Sequence, residues 1–353
     1  MTEVRRLFVT FAAIGDLVMM TPLMRRLAAD GPLTVLGRPF AGGLLVGQPW
    51  LAASVFLRKP HRGSSLLGEW WYGGERRALA ARLAGTFDEI VRMRSESPAI
   101  DRLIERIAAG APVRTVALRF GVRDEHLVDR IRPALEAAGL PCPEFDPQPR
   151  IIPDPAQVEW ARTELAMLGR RVIGIVPGSS LTAGRWQWRP PVNLKSLTPE
   201  QWAALVAELL RSGRADAVVA HGTAPESALA QAIAEQIPAA FQGRFHNRCG
   251  DYPLSKPLGR QAAVFAAEHA VIAVDTGPGH LAAAAGARLV SLYGPTNPRE
   301  CGPRGPGRIE VVLGQAPCQF CIGTALWKTC RKNVCLQNVS QATLLAAYDR
   351  VVG

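Results

Sequence analysis

The chain has 353 residues, 48% of them hydrophobic and 20% charged, a length that exceeds one ordinary core and predicts two globular domains. No apolar run reaches the roughly eighteen residues a membrane-spanning helix needs, so no span is expected. The 41 basic against 30 acidic residues give a formal charge of +11, which favours an anionic partner: nucleic acid, an anionic lipid surface or a phosphorylated sugar. With no block of five or more Lys or Arg, charge alone does not choose among these, and an arginine-rich composition without function explains it equally.

The N-terminus sets two arginines, Arg5 and Arg6, before an apolar run, as a signal peptide does. Gly15 and Asp16 interrupt that run, so strand, loop and helix are expected instead, in a cytoplasmic chain. Strand-like runs at Leu7–Ala12, Leu33–Leu36, Ser54–Leu57, Glu89–Met93 and Val113–Leu118 alternate with helical stretches such as Val18–Ala29 and Arg76–Leu83. Such alternation is the pattern of a parallel sheet with crossover helices. The proline-dense stretch Leu140–Pro155 continues neither helix nor central strand and reads as an interdomain linker. The pattern then restarts: helix Ala156–Leu168, strand Val172–Val176, helix Pro199–Leu210, strand Ala217–Ala220, helix Glu226–Glu235, helix Arg260–Ala267, strand Ala270–Val274 and, at the end, a C-terminal helix. Two α/β domains are expected, 1–150 and 151–353.

The most informative segment is Val271–Pro298, "VIAVDTGPGHLAAAAGARLVSLYGPTNP". Its apolar β-branched run suits a strand buried on both faces, and "HLAAAAGA" suits a short helix. The intervening loop would offer helix N-terminal N–H groups to a phosphate at the carboxyl end of a strand. Glycines permit close approach, and Asp275 and His280 could read a sugar or anion; an ordinary capped turn explains the same residues. "FVTFAAIGDLVMMTPLMRRL" has the same grammar, leaving Asp16 after the first strand. Asp16 is there either a proton acceptor or a helix-starting residue favoured by the dipole.

"GDLVMMTPLMRRL", "PGSS", "HGTAPE" and "VDTGPGHLAAAAGARLVSLYGPTNP", with a cysteine-rich tail, together resemble glycosyltransferase family 9, the ADP-heptose lipopolysaccharide heptosyltransferases. The resemblance implies a GT-B fold, two Rossmann-like domains facing across a cleft. The N-terminal domain would take the acceptor and the C-terminal one the nucleotide sugar. It implies a catalytic base at Asp16, beside Gly15, and a donor-binding loop of Asp275, Thr276, Gly277 and His280. The family's Pro-Gly then lysine falls on Gly178 and Lys195, the lysine steadying the departing diphosphate without a catalytic metal. The chain departs from the family here: Leu197 replaces a tryptophan and the preceding loop is longer, so Arg185 or Arg189 is an alternative cation. Glu226 matches a glutamate near the nucleoside, and is equally a first-turn residue favoured by the helix dipole. Gly279 stands where the family often has methionine.

Cys318, Cys321, Cys330 and Cys335 fall in "CQFCIGTALWKTCRKNVC". Four thiolates at this spacing can enclose a structural zinc or iron, leaving no open position for catalysis; reduced free thiols are the other reading. Some autotransporter heptosyltransferases of the resembled family carry an iron-bound cysteine finger. The expected function is thus inverting transfer of a heptose from ADP-heptose to a phosphorylated glycolipid, a lipopolysaccharide inner-core acceptor, at the cytoplasmic face of the inner membrane with peripheral membrane contact and no nucleic acid. Another sugar nucleotide, or a protein acceptor, keeps the fold and changes the job. A non-catalytic basic nucleic-acid binder with a four-cysteine metal knuckle is the alternative of another class, though no RNA-recognition aromatic motif or basic stripe supports it.

Overall fold

A computed structural model describes residues 3–58, 73–94, 97–118, 124–179, 194–251 and 258–353, and the chain divides into two compact units, Met1–Gln148 and Pro149–Gly353. The first unit holds a parallel sheet of β1 (Arg6–Val9), β2 (Leu33–Gly37), β3 (Ala53–Phe56), β4 (Glu89–Met93) and β5 (Val113–Val116), in the order β3-β2-β1-β4-β5. Strand β1 is central: Phe8 pairs with Val35 on one side and Val91 on the other. All four of its residues are buried, which is why its sequence runs on without polar alternation. Helix Pro98–Ala108 repeats apolar residues at helical spacing, and its Ile100, Leu103, Ile104 and Ile107 pack with Leu7, Val9 and Ile90 in one core. Arg6 supplies the one charge in β1; its Nε lies 2.6 Å from Glu89 Oε2, with both side chains 8% exposed.

The helix expected over Val18–Ala29 is two helices, Ile14–Met19 and Thr21–Ala28. Pro22 lies in the first turn of the second, where its missing N–H is harmless; one uninterrupted helix would have lost a bond and met a clash there. Gly15 and Asp16, expected in a loop, accordingly belong to the first turn of Ile14–Met19. Residues 139–154 form neither helix nor strand.

The second unit holds β6 (Val172–Val176), β7 (Ala217–Ala220), β8 (Phe245–Asn247), β9 (Ala270–Val274), β10 (Leu289–Tyr293) and β11 (Ile309–Leu313), all parallel, in the order β11-β10-β9-β6-β7-β8. Numbered within the unit this is the Rossmann order, and the direction of winding reverses between β6 and β9. Each of those two strands is buried at all five residues. Helix Pro199–Arg211 starts with a capping box between Thr198 and Gln201, and its Trp202 is fully buried in the core with Leu205, Val206 and Leu209. The C-terminal helix Gln341–Val352 adds Leu344, Ala347, Tyr348 and Val351 to the same core. The carboxyl ends of β6 and β9 therefore lie side by side where the direction of winding reverses.

Candidate functional site

Asp275 is the first residue beyond β9. Its N–H donates to Leu292 O (2.9 Å), which keeps it in sheet register although the strand has ended. Its carboxylate meets Lys195, with Nζ 2.6 Å from Oδ2 and side chains 18% and 8% exposed for lysine and aspartate. The same register pairs Val274 with Leu292, so the next residues along, Asp275 and Tyr293, are neighbours. The Tyr293 phenol is buried and donates to Cys301 O (3.2 Å). Burial first, then the charge of Asp275, pushes this phenol well above its ordinary pKa, so it remains a protonated donor beside the carboxylate. Asp275 is thus held between an ammonium and a phenol.

Thr276 follows in extended conformation (φ −158°, ψ 158°) as the N-cap of helix Gly277–Ala284, and its own side chain does not cap that helix. Pro278 has no N–H to leave unsatisfied. The helix start is thereby directed beyond the sheet, with its partial positive charge beside Asp275. Gly279 and His280 are buried, and a methyl group at Gly279 would lie 3.3 Å from Ala273 Cβ. The helix passes so close to β9 that a larger residue needs its neighbours to give way.

Gly178 follows β6, and a side chain here would have to push another one aside. A methyl group would lie 2.2 Å from Glu226 Oε1, so the carboxylate rests directly on the glycine. Glu226 is held there by Thr223, whose N–H (2.6 Å) and hydroxyl (2.7 Å) both donate to Oε2. Thr223 and Glu226 form a capping box around the short turn Ala224–Glu226. At the end of β7, His221 Nε2 lies 2.6 Å from Glu268 Oε1, with both side chains fully buried, and burial raises the Glu268 pKa.

The loop bearing Lys195 is fastened from three directions. Ser196 hydroxyl donates to Pro177 O (2.6 Å) and accepts from Trp202 Nε1 (3.1 Å), while Asn333 Nδ2 donates to Ser196 O (2.6 Å). Asn333 has left-handed backbone angles (φ 31°, ψ 38°), a conformation asparagine tolerates. Sequence reading missed Ser196, Trp202, Asn333 and Tyr293. Only Thr223 carried a local signal, the Thr-x-x-Glu spacing of a capping box.

The second unit therefore brings together Gly178, Lys195, Glu226, Asp275, Thr276, Gly277 and His280 around the carboxyl ends of β6, β7 and β9. Gly15 and Asp16 belong to the first unit, where Asp16 is half-buried at the start of its helix. Arg185 and Arg189 lie outside the described residues. Among the described residues no group of three or more His, Cys, Asp or Glu is placed to hold a metal ion. Cys318, Cys321, Cys330 and Cys335 are free thiols. Cys335 is buried against the core with its Sγ 3.3 Å from Asn333 Oδ1, whereas the other three are half-buried. Burial, more than any other influence, raises the pKa of Cys321 and Cys335, and other cysteines of the set raise both further.

Two Rossmann-like α/β units, with a lysine, two carboxylates and a helix start gathered around the winding reversal of the second, define a class of proteins built to receive a phosphorylated ligand there. The profile of glycosyltransferase family 9 (heptosyltransferase) matches residues 109–326, more than half of the chain, and the protein belongs to that family. It is similar to lipopolysaccharide heptosyltransferase 1 of Pseudomonas aeruginosa, 49% identical over 74 residues, an alignment covering 21% of this chain and 19% of that relative. The crystal structure of a family 9 glycosyltransferase from Veillonella parvula has a TM-score of 0.75 at 17% identity, covering 100% of this chain and 98% of the other. ADP-heptose lipopolysaccharide heptosyltransferase II of E. coli gives 0.70 at 18% identity, covering 99% and 98%. At these identities the likeness is one of fold, and the fold is GT-B. Family membership favours a transferase over a nucleic-acid binder.

Proposed function

We propose that this chain is an inverting glycosyltransferase that moves a heptose from ADP-heptose to a phosphorylated inner-core glycolipid, acting at the cytoplasmic face of a membrane that it contacts peripherally. The observation that carries the reading is the Lys195–Asp275 pair (2.6 Å) beside a helix start, at the place where α/β sheets receive nucleotides. In this reading Asp16 accepts the proton of the acceptor hydroxyl as its oxygen attacks the anomeric carbon. The bond from that carbon to the diphosphate oxygen breaks on the opposite face, which inverts the configuration. Negative charge then appears on the leaving ADP, where Lys195 and the N–H groups at Thr276 and Gly277 stabilise it. Glu226, resting on Gly178, accepts hydrogen bonds from the ribose hydroxyls. Asp275 keeps the lysine ammonium in place between turnovers and approaches the sugar once the donor is bound.

The donor is supported by the family match and by the similar E. coli protein, an ADP-heptose heptosyltransferase by name; the sugar and the acceptor are read from the family alone. Calorimetric titration with ADP, GDP and UDP tests the first part. Saturable ADP binding, weakened in Lys195→Ala and Asp275→Ala, is the expected result, followed by heptose transfer that Asp16→Asn abolishes. Preference for GDP or UDP would discard the donor, and binding of no nucleotide would discard the function.

A further inference from the structure

Among the described residues eleven large apolar side chains are exposed, and six of them, Val311, Leu313, Phe320, Ile322, Leu326 and Val334, fall between residues 311 and 334. A soluble surface scatters such residues singly; a cluster marks a contact surface. Phe320 is 38% exposed on a backbone with φ 63°, a left-handed conformation in which a bulky aromatic is an outlier. The backbone carries strain at the residue that presents the ring to solvent.

The charge of the same segment is one-sided. From Val311 to Tyr348 the chain contains no Asp or Glu, while Lys328, Arg331 and Lys332 are all exposed. Exposed apolar side chains with cations and without anions complement an anionic lipid interface, where rings and aliphatic chains enter the acyl boundary and ammonium or guanidinium groups meet phosphates. A protein partner of ordinary composition would call for mixed charge.

The segment also adjoins the candidate site. Ile322 N–H donates to Pro295 O (3.1 Å), immediately after β10, and Asn333 holds the Ser196 carbonyl next to Lys195 (2.6 Å). Strand β11, which carries Val311 and Leu313, is the edge of the sheet. An occupant of this surface would sit beside the nucleotide end of the second unit.

We propose that residues 311–334 form a docking surface for an anionic lipid bilayer, with Phe320, Ile322 and Leu326 entering the interface and Lys328, Arg331 and Lys332 meeting headgroup phosphates. The purpose of this contact rests on the proposed glycolipid acceptor; its existence does not. It supplies the second unit with an attachment of its own to the surface where such an acceptor lies.

The test is vesicle flotation of the reduced full-length chain, with phosphatidylethanolamine–phosphatidylglycerol vesicles against phosphatidylcholine vesicles. Binding is expected to the anionic vesicles only and to weaken with salt. Lys328→Ala/Arg331→Ala/Lys332→Ala is expected to lose about a hundredfold in affinity, and Phe320→Ser/Ile322→Ser/Leu326→Ser at least about tenfold. Met167→Ser, at a 72% exposed methionine elsewhere in the unit, is expected to bind as wild type. Unchanged binding by both triple variants, or equal binding to neutral vesicles, would overturn the proposal. So would a change of mass in light scattering with no vesicle binding, which would make the surface a self-association face. ADP titration of the wild-type chain separates the two readings: ADP binding without vesicle binding refutes the surface and leaves the donor, and the converse result refutes the donor while supporting the surface.

Discussion

Gly178→Ala tests the arrangement most directly, because the geometry makes its effect depend on one other residue. The added methyl would lie 2.2 Å from Glu226 Oε1, 2.8 Å from Cδ and 3.1 Å from Cγ, all in the same side chain. Forcing that carboxylate aside costs about 1–3 kcal/mol, the range for an overpacked site, and strains the two bonds from Thr223. For a unit of this size the melting temperature should fall by a few degrees to about 10 °C. Glu226→Ala removes every clashing atom, so Gly178→Ala/Glu226→Ala should be no less stable than Glu226→Ala alone. If Glu226 accepts from the ribose, its removal should cost about 1.5–3 kcal/mol in ADP affinity, or roughly 10- to 150-fold. Gly178→Ala should approach the same loss through displacement of the carboxylate. Thermal melts and ADP calorimetry on the four proteins of this cycle measure both quantities. Additive stability changes would refute the contact, and wild-type ADP affinity in Glu226→Ala would refute the role given to the carboxylate.

Lys195→Ala leaves a nearly buried Asp275 without its cation; turnover in a heptose-transfer assay should fall about 10²- to 10³-fold if the lysine stabilises the leaving group. Tyr293→Phe keeps the ring and removes one hydroxyl, so chemical unfolding should show a loss of about 1 kcal/mol, with weaker ADP binding if Asp275 needs the phenol for its position. In the first unit, burial raises the pKa of Glu89, but hydrogen bonds from Arg6 and Arg114 outweigh it and the net shift is downward from 4.5. A depressed carboxylate contributes stability above its ordinary value that is lost as pH falls below it. The stability difference between wild type and Glu89→Gln, followed by urea unfolding from pH 7 to pH 3, should therefore shrink through the region below about 4.5; a constant difference would refute the ion pair.

The segment around Asp275 was legible because two local signals coincide there: a continuous β-branched run that only a doubly buried strand explains, and a glycine-bearing loop into an alanine helix. Asp16 shows the limit of the same grammar. Sequence left it either a loop carboxylate or a helix-starting residue, and the structure has it in a first helical turn; Pro22, six residues on, tolerates a new helix beginning there, so the chain breaks at Met20. Tyr293 was invisible since its partnership with Asp275 arises from the register of β9 against β10, which no local pattern encodes. Asn333 lies 137 residues from Ser196. For the cysteines, spacing suggested a tetrahedral set, but spacing does not say that Cys335 is buried while Cys318, Cys321 and Cys330 are half-buried.

The bond from Asn333 to Ser196 has a consequence for how the molecule matures. The loop bearing Lys195 is synthesised long before the residue that fastens it, and the helix packing behind it, Gln341–Val352, follows later still. Gln341 Nε2 donates to Ala204 O (2.7 Å), Arg214 pairs with Asp349 (2.7 Å) and Tyr348 hydroxyl donates to Arg214 O (3.0 Å), so this helix also secures the one that follows the lysine. Domains generally consolidate as units during translation, and here the unit cannot close until the chain has been made through Val352. A nascent chain arrested before Asn333 would hold β6, β7, β9 and β10 with the lysine loop still unfastened.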